Sequence, residues 1–441
     1  MTRYFVSFLG TSDYVSCNYC AAGGARQDDV RFVQTAVLKL HCSDFQPGDR
    51  VLIGCTEAAF NKSFDGLQRE LARNDWSADI PAEAILLPEA TSEAELWQIF
   101  DTLSSELTAP DAEIVFDITH SYRSLPLLFV VLIQYLKVVR KARLRGVHYG
   151  AFERLGVAAA VKNMPIDERD APLIDLTPFL SLFDWSLGID RLVRSGDASE
   201  LKRLVDIANL PLLRESKGLD TAAQALKLVA NQMDQLATAI SMVRGNKIAG
   251  INVKSHIYDK LDEVDEKSVP RPLLPVLARL KSELNGWQDK NLLNGLRAVT
   301  WCARHGLVQQ GYTLLQETLV GLLEERWRPE LEHLPELGTG RARRDFVSAL
   351  LAVTAERKPG NRWTGSIRKN RALVRTLRLG LSNSVFEAYS TLTGCRNDMN
   401  HGGVADNAQS ARNLSDKLEQ VAADICAEFL PEQASAPGIG K

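Results

Sequence analysis

Two side chains near the end of the sequence, Arg396 and His401 in the stretch RNDMNH, could carry out acid–base chemistry on a phosphate ester. The imidazole can move the proton of a ribose 2′-hydroxyl or of the leaving oxygen, while the guanidinium stabilises charge on the phosphorane. Their spacing places them about 140° apart on an undistorted helix, so we expect them to converge only at a helix end. Gly402 and Gly403 predict that end, and Asn397 shares a helix face with His401.

A simpler interpretation of this pair is structural. A histidine in the last turn of a helix is favoured by the helix macrodipole, and the arginine would then be an ordinary surface residue. Spacing alone favours this interpretation, because an arginine and a histidine separated in this way often occur by chance. The chemical hypothesis needs no metal, and we predict no metal site in the chain.

The segment 341–380, just upstream of this pair, is strongly basic. It contains eleven arginine and lysine residues and two acidic ones, in a chain whose net charge is −3. Trp363 lies within it and could stack on a base. Such runs of charge are usually solvated helix faces, but the position of this one favours nucleic acid.

Polar residues also follow the strand-like segments of the first half. In open α/β sheets, ligands bind beyond the carboxyl ends of the strands, where backbone N–H groups and helix N-termini face outward. These hydroxyl, imidazole and guanidinium groups suit an anionic, nucleotide-like ligand, although Thr119 or Ser121 could equally cap a helix and Asp117 tie a loop. The dinucleotide motif G-x-G-x-x-G and the P-loop motif are absent. The residues are Gly10, Thr11 and Ser12 after the first strand, Thr56 after the second, and Asp117, Thr119, His120, Ser121 and Arg123 after the fourth.

The order of the predicted elements positions both groups. A chain of 441 residues is long enough for two or three domains. Apolar runs alternate with helical patterns in the first part, which predicts a Rossmann-like, doubly wound parallel sheet, whereas the remainder has only helical periodicity. We therefore expect an α/β domain at 1–180 and an all-α region at 181–441. The predicted helices cover 28–40, 57–74, 93–107, 121–141, 182–204, 220–243, 273–284, 291–305, 308–326, 346–355, 373–392 and 407–429, with loops at 331–345 and 357–370.

The composition is that of an ordinary globular protein. With 45% hydrophobic and 24% charged residues, the chain can bury a large core, which excludes intrinsic disorder and fibrous repeats. Its seven cysteines lie mostly in apolar stretches and indicate a reducing cytoplasm rather than a disulfide framework. The longest apolar run, 125–139, is too short for a membrane span, so we expect no membrane association.

These motifs, in this order, resemble the CRISPR-associated CARF–HEPN ribonucleases, the ancillary effectors of type III systems, in the family with a DxTHG motif. The resemblance rests on FLGTSDY, CTEAA, SEAELWQIF, DITHSYR, WCARHGLVQQGYTLLQETL and RNDMNH, and spans nearly the whole chain. Two positions depart from the pattern: Ser121 stands where the motif has glycine, and Ser12 where a second glycine is common.

The resemblance implies a sensor domain at 1–180 and a C-terminal ribonuclease domain. The family's sensor dimerises and binds a cyclic tetra- or hexa-adenylate across its two-fold axis. Its paired arginine and histidine residues form one composite site that cleaves single-stranded RNA without a metal or other cofactor. By position, Gly10, Thr11, Ser12, Thr56, Asp117, Thr119, His120 and Arg123 correspond to the sensor motifs, and Arg396, Asn397 and His401 to the nuclease motif. We expect a homodimer or a higher assembly of dimers.

Two other functions remain open from the sequence. A nucleotide-sensing regulator could act through its helical half on DNA or protein, but no short turn followed by a recognition helix is evident. A helical interaction domain with a vestigial site would leave the arginine and histidine without a role. The first hypothesis, an endoribonuclease activated by a cyclic oligoadenylate, uses all three groups of residues.

Overall fold

The computed structural model describes residues 2–76, 79–120, 125–264, 274–404 and 408–430. The chain divides into two compact units, Met1–Phe183 and Asp184–Lys441. The sequence predicts this division after residue 180. Residues 180 and 183 both lie in one helix, Thr177–Ser195. Each unit has its own architecture: the first is built on a β-sheet, and the described part of the second is helical.

An eight-stranded mixed sheet forms the first unit. Its strand order is β3-β2-β8-β7-β6-β1-β4-β5, in which β5, β4, β1, β6 and β7 run parallel, while β8 is antiparallel to β7 and β3 is antiparallel to β2. The strands are β1 Arg3–Leu9, β2 Cys17–Ala21, β3 Arg26–Val30, β4 Arg50–Cys55, β5 Ala82–Leu86, β6 Glu113–Asp117, β7 Arg143–Gly150 and β8 Asp170–Asp175.

Helices cover both faces of this sheet, which explains why its central strands are apolar nearly throughout. Residues of β1 alternate between two hydrophobic clusters: Phe5 and Leu9 pack on one face, and Tyr4, Val6 and Phe8 on the other. The helices of this unit are α1 Val33–His41, α2 Glu57–Ala59, a π-helical turn Phe60–Phe64, α3 Asp65–Arg73, α4 Glu93–Glu106, α5 Leu125–Arg140 and α6 Ala158–Val161.

The α/β class and the five central parallel strands agree with the predicted parallel sheet, but the sheet as a whole is mixed. Three strands, β2, β3 and β8, were not predicted, and two of the sheet's pairings are antiparallel. The helix predicted at 28–40 starts at Val33 in the structure, five residues later than predicted, because residues 28–30 belong to β3. Glu70 of α3 accepts hydrogen bonds from the backbone N–H groups of Arg31 and Phe32, at 2.8 and 3.0 Å, and so fixes where α1 starts.

Helices and the turns and loops that join them make up the described part of the second unit. Helix α7, Thr177–Ser195, contains the division between the units. It is followed by α8 Ser199–Glu215, α9 Thr221–Ser241, α10 Gly245–Gly250, α11 Leu274–Glu283, α12 Asn294–Arg304, α13 Val308–Arg326, α14 Arg328–Leu331, α15 Gly340–Ala355, α16 Gly365–Lys369, α17 Arg371–Leu379, α18 Asn383–Asn400 and α19 Ala411–Phe429.

Several predicted boundaries in this unit are wrong. The predicted helix 182–204 breaks at Gly196, whose φ of +69° ends α7, and a Cβ at this glycine would lie 2.6 Å from the indole nitrogen of Trp301. The helix predicted at 373–392 breaks between α17 and α18. The predicted loop 331–345 includes the first turns of α15, which Thr339 caps, and the predicted loop 357–370 contains α16.

Helices α12, α13, α15, α18 and α19 pack together around a common core. The close approach of α13 and α19 depends on a small residue, because a Cβ at Gly311 of α13 would lie 2.5 Å from the side chain of Leu418 on α19. The fully buried Tyr312 donates a hydrogen bond from its hydroxyl to the Leu414 carbonyl at 2.8 Å. This packing holds α18, which carries Arg396, in a fixed position. None of the helices in the described part of the chain combines the length and apolar character that a membrane crossing needs.

Candidate functional site

The first candidate site lies at the carboxyl ends of β6, β1 and β4, which are neighbours in the sheet. The Gly10–Ser12 loop follows β1, Thr56 follows β4, and Asp117 ends β6. The sheet order therefore brings the predicted residues at these strand ends side by side. We call these strand ends and the loops that follow them the tips. Ser121 and Arg123, predicted for the same site, lie outside the described residues.

Asp117 is fully buried and holds the strand ends together. Its carboxylate accepts hydrogen bonds from the Ser7 hydroxyl on β1 at 2.6 Å and from the Thr119 backbone N–H at 3.0 Å. Burial raises the pKa of Asp117, and the hydrogen bonds from Ser7 and Thr119 act in the opposite direction. These contacts use both carboxylate oxygens, so this side chain orients the loop.

Thr119 links the same loop to the next strand. Its hydroxyl donates to the Asp117 carboxylate and accepts from the Gly150 backbone N–H of β7 at 2.8 Å. Because Gly150 is the last residue of β7, the hydroxyl ties β6 and β7 together at the edge where the predicted ligand site lies.

His120 is held between the tips of β1 and β4. Its ring meets the ring of Tyr14 edge-on, with centroids 4.6 Å apart, and burial lowers the pKa of His120 to about 4. The ring also lines a cavity of about 20 Å³ together with Thr56, whose hydroxyl caps α2 by accepting from the Ala59 backbone N–H. This volume holds about one water molecule, so it is not by itself a nucleotide pocket.

The loop after β1 is exposed and lies beside a lysine that the sequence analysis missed. Lys62 donates to the Thr11 carbonyl at 2.6 Å and forms an ion pair of 3.0 Å with Asp13, which lowers the pKa of the Asp13 carboxyl. Gly10 is bonded through its N–H to the Tyr14 hydroxyl at 2.9 Å, and Ser12 is exposed. Lys62 could have been found because it follows the predicted tip at Thr56 by less than two helical turns.

The second candidate site lies at the end of α18, which terminates where the glycine pair predicts. His401 is the C-cap, and Gly402 and Gly403 both adopt positive φ, at +66° and +65°. The Gly402 N–H donates to the Met399 carbonyl at 3.1 Å and the Gly403 N–H to the Asp398 carbonyl at 3.0 Å, which is the Schellman pattern of helix termination.

Arg396 is half-buried on α18 and is held by a residue of α13. One of its terminal nitrogens donates to the Gln316 side-chain oxygen at 2.9 Å, while its Nε is buried and has no hydrogen-bond partner among the described residues. Gln316 precedes Arg396 by eighty residues, so no local spacing predicts this contact. The guanidinium is thus oriented but retains donor capacity.

His401 and Asn397 lie on the exposed side of the helix end. Within the described chain, no hydrogen bond or ring contact joins Arg396 to His401. Asp398, between them, accepts from the Gln409 backbone N–H at 2.7 Å and anchors the chain that follows the glycine turn. A single copy therefore places the three predicted side chains at one helix end without direct contact between the arginine and the histidine.

The basic segment is only partly solvated. Arg343 pairs with Glu324 at 2.7 Å and Arg344 with Glu317 at 2.8 Å, so these two cations are already matched within the unit. Trp363, for which the sequence suggests stacking on a base, is 8% exposed, and its indole N–H donates to the Lys358 carbonyl at 3.0 Å. The ring belongs mainly to the core, because hydrophobic burial outweighs exposure for so large a side chain.

Comparison with curated proteins shows similarity to CRISPR-associated protein MJ1674 of Methanocaldococcus jannaschii, which is 28% identical over 115 residues. The match covers 25% of this chain and 16% of the relative, so the chain spans about a sixth of the relative's length. No protein-family model matches the chain. The similarity supports a CRISPR-related role.

Proposed function

We propose that the chain is an endoribonuclease of type III CRISPR antiviral defence that cleaves single-stranded RNA without a metal and is activated by a cyclic oligoadenylate. The observation that carries this proposal is the arginine at the end of α18. Gln316 orients the Arg396 guanidinium, whose buried Nε has no partner in the described chain, beside a helix end that exposes His401. The similarity to a CRISPR-associated protein supports the biological setting.

The chemistry assigns one role to each side chain. His401 takes the proton of the ribose 2′-hydroxyl or supplies one to the leaving 5′-oxygen. The 2′-oxygen bonds to phosphorus as the bond to the 5′-oxygen breaks, which leaves a 2′,3′-cyclic phosphate and a 5′-hydroxyl. Arg396 stabilises the negative charge that develops on the phosphorane, and Asn397 positions the phosphate or the imidazole. Imidazole and guanidinium supply both functions, so the proposal includes no metal.

Two copies of the chain supply the separate acid and base. One copy provides one arginine and one histidine at the end of α18, and cleavage in line requires a base on one side of the phosphorus and an acid on the other. A two-fold axis near this helix end would place a second histidine across the scissile phosphate. This requirement is why the proposal includes a homodimer.

An apolar stripe on α5 supports self-association of the first unit. Leu127, Val131, Tyr135 and Val138 follow one another at spacings of three and four residues, so they share a face. All four are exposed, Leu127 at 72% and Val138 at 83%. Because α5 starts directly after the predicted binding tip at 117–123, a two-fold contact along this stripe would bring the tips of both copies together around a near-symmetric ring.

The tips themselves offer groups that fit a cyclic oligoadenylate. The exposed Thr11 and Ser12 can bond phosphate or ribose oxygens, and Lys62 supplies a cation next to them. His120 presents a ring that burial keeps neutral, since its pKa is lowered to about 4. Asp117 and Thr119 act indirectly, because their polar atoms are occupied by Ser7 and Gly150.

Incubating the full chain with labelled single-stranded RNA tests this function. Parallel reactions contain cyclic tetra-adenylate, cyclic hexa-adenylate or neither, each with and without EDTA. We expect cleavage with one of the rings, unchanged by EDTA, and a cyclic phosphate end on the product. Binding of a cyclic oligoadenylate without RNA cleavage in any reaction would instead indicate the nucleotide-sensing regulator. A chain that neither binds a cyclic oligoadenylate nor cleaves RNA would have neither function.

A further inference from the structure

A cavity of about 560 Å³ in the second unit has a strongly basic lining. It lies among α15, α17 and α18, within the segment whose sequence is rich in arginine. The charged residues that line it are Arg357, Lys358, Arg375, Arg378 and Glu387. The lining therefore carries a net charge of +3 in a chain whose total is −3. A volume of this size accommodates a nucleotide rather than a single ion.

Most of this charge is not neutralised by side chains in the described part of the chain. Arg375 and Arg378 are exposed one turn apart on α17, and neither forms an ion pair with a described side chain. Arg357 lies 3.5 Å from Glu387, but both side chains are more than two-thirds exposed, so this pair contributes little. Lys358 pairs with Glu356, which is not part of the lining. Arg375 and Arg378 are thus the cations most available to an anionic ligand.

Uncharged side chains form the rest of the wall. Thr354 is 6% exposed, lines the cavity, and its Oγ1 has no hydrogen-bond partner among the described residues. Thr354 therefore supplies a small side chain to the wall, while its hydroxyl oxygen is enclosed by the protein. The aromatic side chains of Trp363 and Phe386 form an apolar part of the wall, which suits a base or a ribose.

The first turn of α18 completes the anion-binding character of the cavity. Asn383, the first residue of α18, lines it, and the side chain of the N-cap residue Ser382 does not cap the helix. The positive end of the helix dipole therefore faces the same space as Arg375 and Arg378. Together, the cations, the aromatic part of the wall and the helix end favour a phosphate ester that carries a base.

We propose that this cavity is a subsite for a backbone phosphate of the RNA substrate, remote from the scissile bond. The inference rests on the proposed function, since it concerns the same substrate. Helix α18 has Asn383 at the cavity and ends at Asn400, next to His401. Eighteen residues at 1.5 Å per residue separate the two ends by about 27 Å. At about 3.4 Å per stacked nucleotide, an RNA must be about eight nucleotides long to reach both.

RNA binding by cleavage-deficient protein tests this subsite without requiring catalysis. Full-length His401→Ala carries either Arg375→Ala with Arg378→Ala, or the matched pair Arg368→Ala with Lys369→Ala. The matched pair removes the same charge from the same basic segment at exposed positions outside the cavity. Fluorescence anisotropy measures the affinity for an RNA of about sixteen nucleotides, twice the estimated span, over a range of salt concentrations. Thermal unfolding confirms that both proteins are folded.

We expect the cavity pair, Arg375→Ala with Arg378→Ala, to weaken RNA binding by tenfold or more. It should also reduce the slope of log affinity against log salt concentration by about 1.4, which corresponds to two phosphate contacts with a single strand. The matched pair should change the affinity less than threefold. Glu387→Gln should strengthen binding, because it removes an acidic side chain from the lining. Inorganic phosphate should compete only at far higher concentration than RNA.

A second readout separates a remote subsite from the catalytic centre. In the cleavage-competent background, the cavity pair should raise KM for the longer RNA and leave KM unchanged for an RNA of about four nucleotides, which is too short to reach both ends. Equal loss of affinity in the cavity pair and the matched pair, or no loss in either, overturns the subsite while leaving the proposed ribonuclease intact. Selective loss of RNA binding by the cavity pair in a chain that cleaves no RNA supports the subsite and overturns the proposed ribonuclease.

Discussion

His41 and His148 stack ring on ring, with centroids 3.8 Å apart and planes 17° from parallel. His41 ends α1 and His148 lies on β7, so the pair joins a helix to the sheet of the first unit. A Cβ at Gly146 would lie 2.6 Å from the His148 ring, which explains a glycine two residues earlier in the strand. His41 Nε2 and His148 Nδ1 are buried without hydrogen-bond partners among the described residues.

This stack predicts that the first unit loses stability as the pH falls. Burial, followed by the charge of His41, lowers the pKa of His148 to about 4, and burial also lowers the pKa of His41. In the unfolded chain a histidine titrates near 6.5, so between about 6.5 and 4 the unfolded state binds more protons. The stabilisation is complete above pH 6.5 and is lost as the pH falls toward 4, with a magnitude of roughly 3 kcal/mol from His148 alone.

Urea unfolding at a series of pH values measures this loss. His148→Phe keeps a ring against His41 but removes one titration, so its free energy of unfolding should depend less on pH over the same interval. His120, whose pKa is also lowered to about 4, leaves a residual slope. An identical slope in wild type and variant would show that the pair does not titrate as a buried neutral stack.

Thr119 predicts a stability effect that is separable from ligand binding. Thr119→Val would leave the buried Asp117 carboxylate with fewer donors and the Gly150 N–H without an acceptor. We expect a loss of about 1 to 3 kcal/mol in the free energy of unfolding. Thr119→Ser, which keeps the hydroxyl, should lose less than half of that. Comparable destabilisation by both variants would mean that the methyl group, not the hydroxyl, supports the loop.

The central strands were predictable because burial on both faces requires apolar residues at nearly every position, as in VLIGC, the buried part of β4. The edge strand β3 was not, since RQDDV is polar and largely exposed, and its pairing with β2 depends on the rest of the sheet. At the second candidate site, Gly402 and Gly403 predicted the helix end from local backbone preference. Gln316 was missed because its contact with Arg396, eighty residues away, depends on tertiary packing, which spacing does not encode.

Lys62 gives a prediction for the sensor loop. Because its ammonium is next to the exposed Thr11 and Ser12, Lys62→Ala should weaken binding of the cyclic oligoadenylate about tenfold, the effect of losing about 1.4 kcal/mol. Lys39→Ala is the matched control, since Lys39 donates to the Asn74 carbonyl and belongs to α1. Calorimetry with each purified full chain measures the affinity. Equal affinity of the two variants for the cyclic oligoadenylate would show that Lys62 does not contribute to the binding site.

The apolar stripe on α5 predicts a variant that separates the two copies. Leu127→Glu with Val138→Glu introduces charges into the proposed two-fold contact, where like charges from the two copies would face each other. Sedimentation should then show a monomer at concentrations where the wild type is a dimer, and activated cleavage should be lost. Met242→Glu, which changes an apolar side chain of comparable exposure in the second unit, should leave both unchanged. A dimeric double variant would place the contact elsewhere.

Cleavage itself provides the last prediction. Losing a proton-transfer group costs about 10² to 10⁴ in rate, so His401→Ala should be nearly inactive while still binding the activator. Arg396→Ala should be similarly impaired, Asn397→Ala less so. Gln316→Ala should lower kcat by a smaller factor, because Gln316 positions the guanidinium without touching the substrate.

The substrate provides the complementary test of the same step. If the 2′-hydroxyl is the nucleophile, DNA and RNA with a 2′-deoxy nucleotide at the scissile position should resist cleavage, although both should still bind. Mixing wild-type with His401→Ala protein measures whether the site is shared between copies, because a heterodimer keeps only one of the two histidines, so the activity should fall below the fraction of wild-type chains. Activity that survives His401→Ala, or that EDTA abolishes, would place the chemistry elsewhere and leave the basic segment with a role in binding alone.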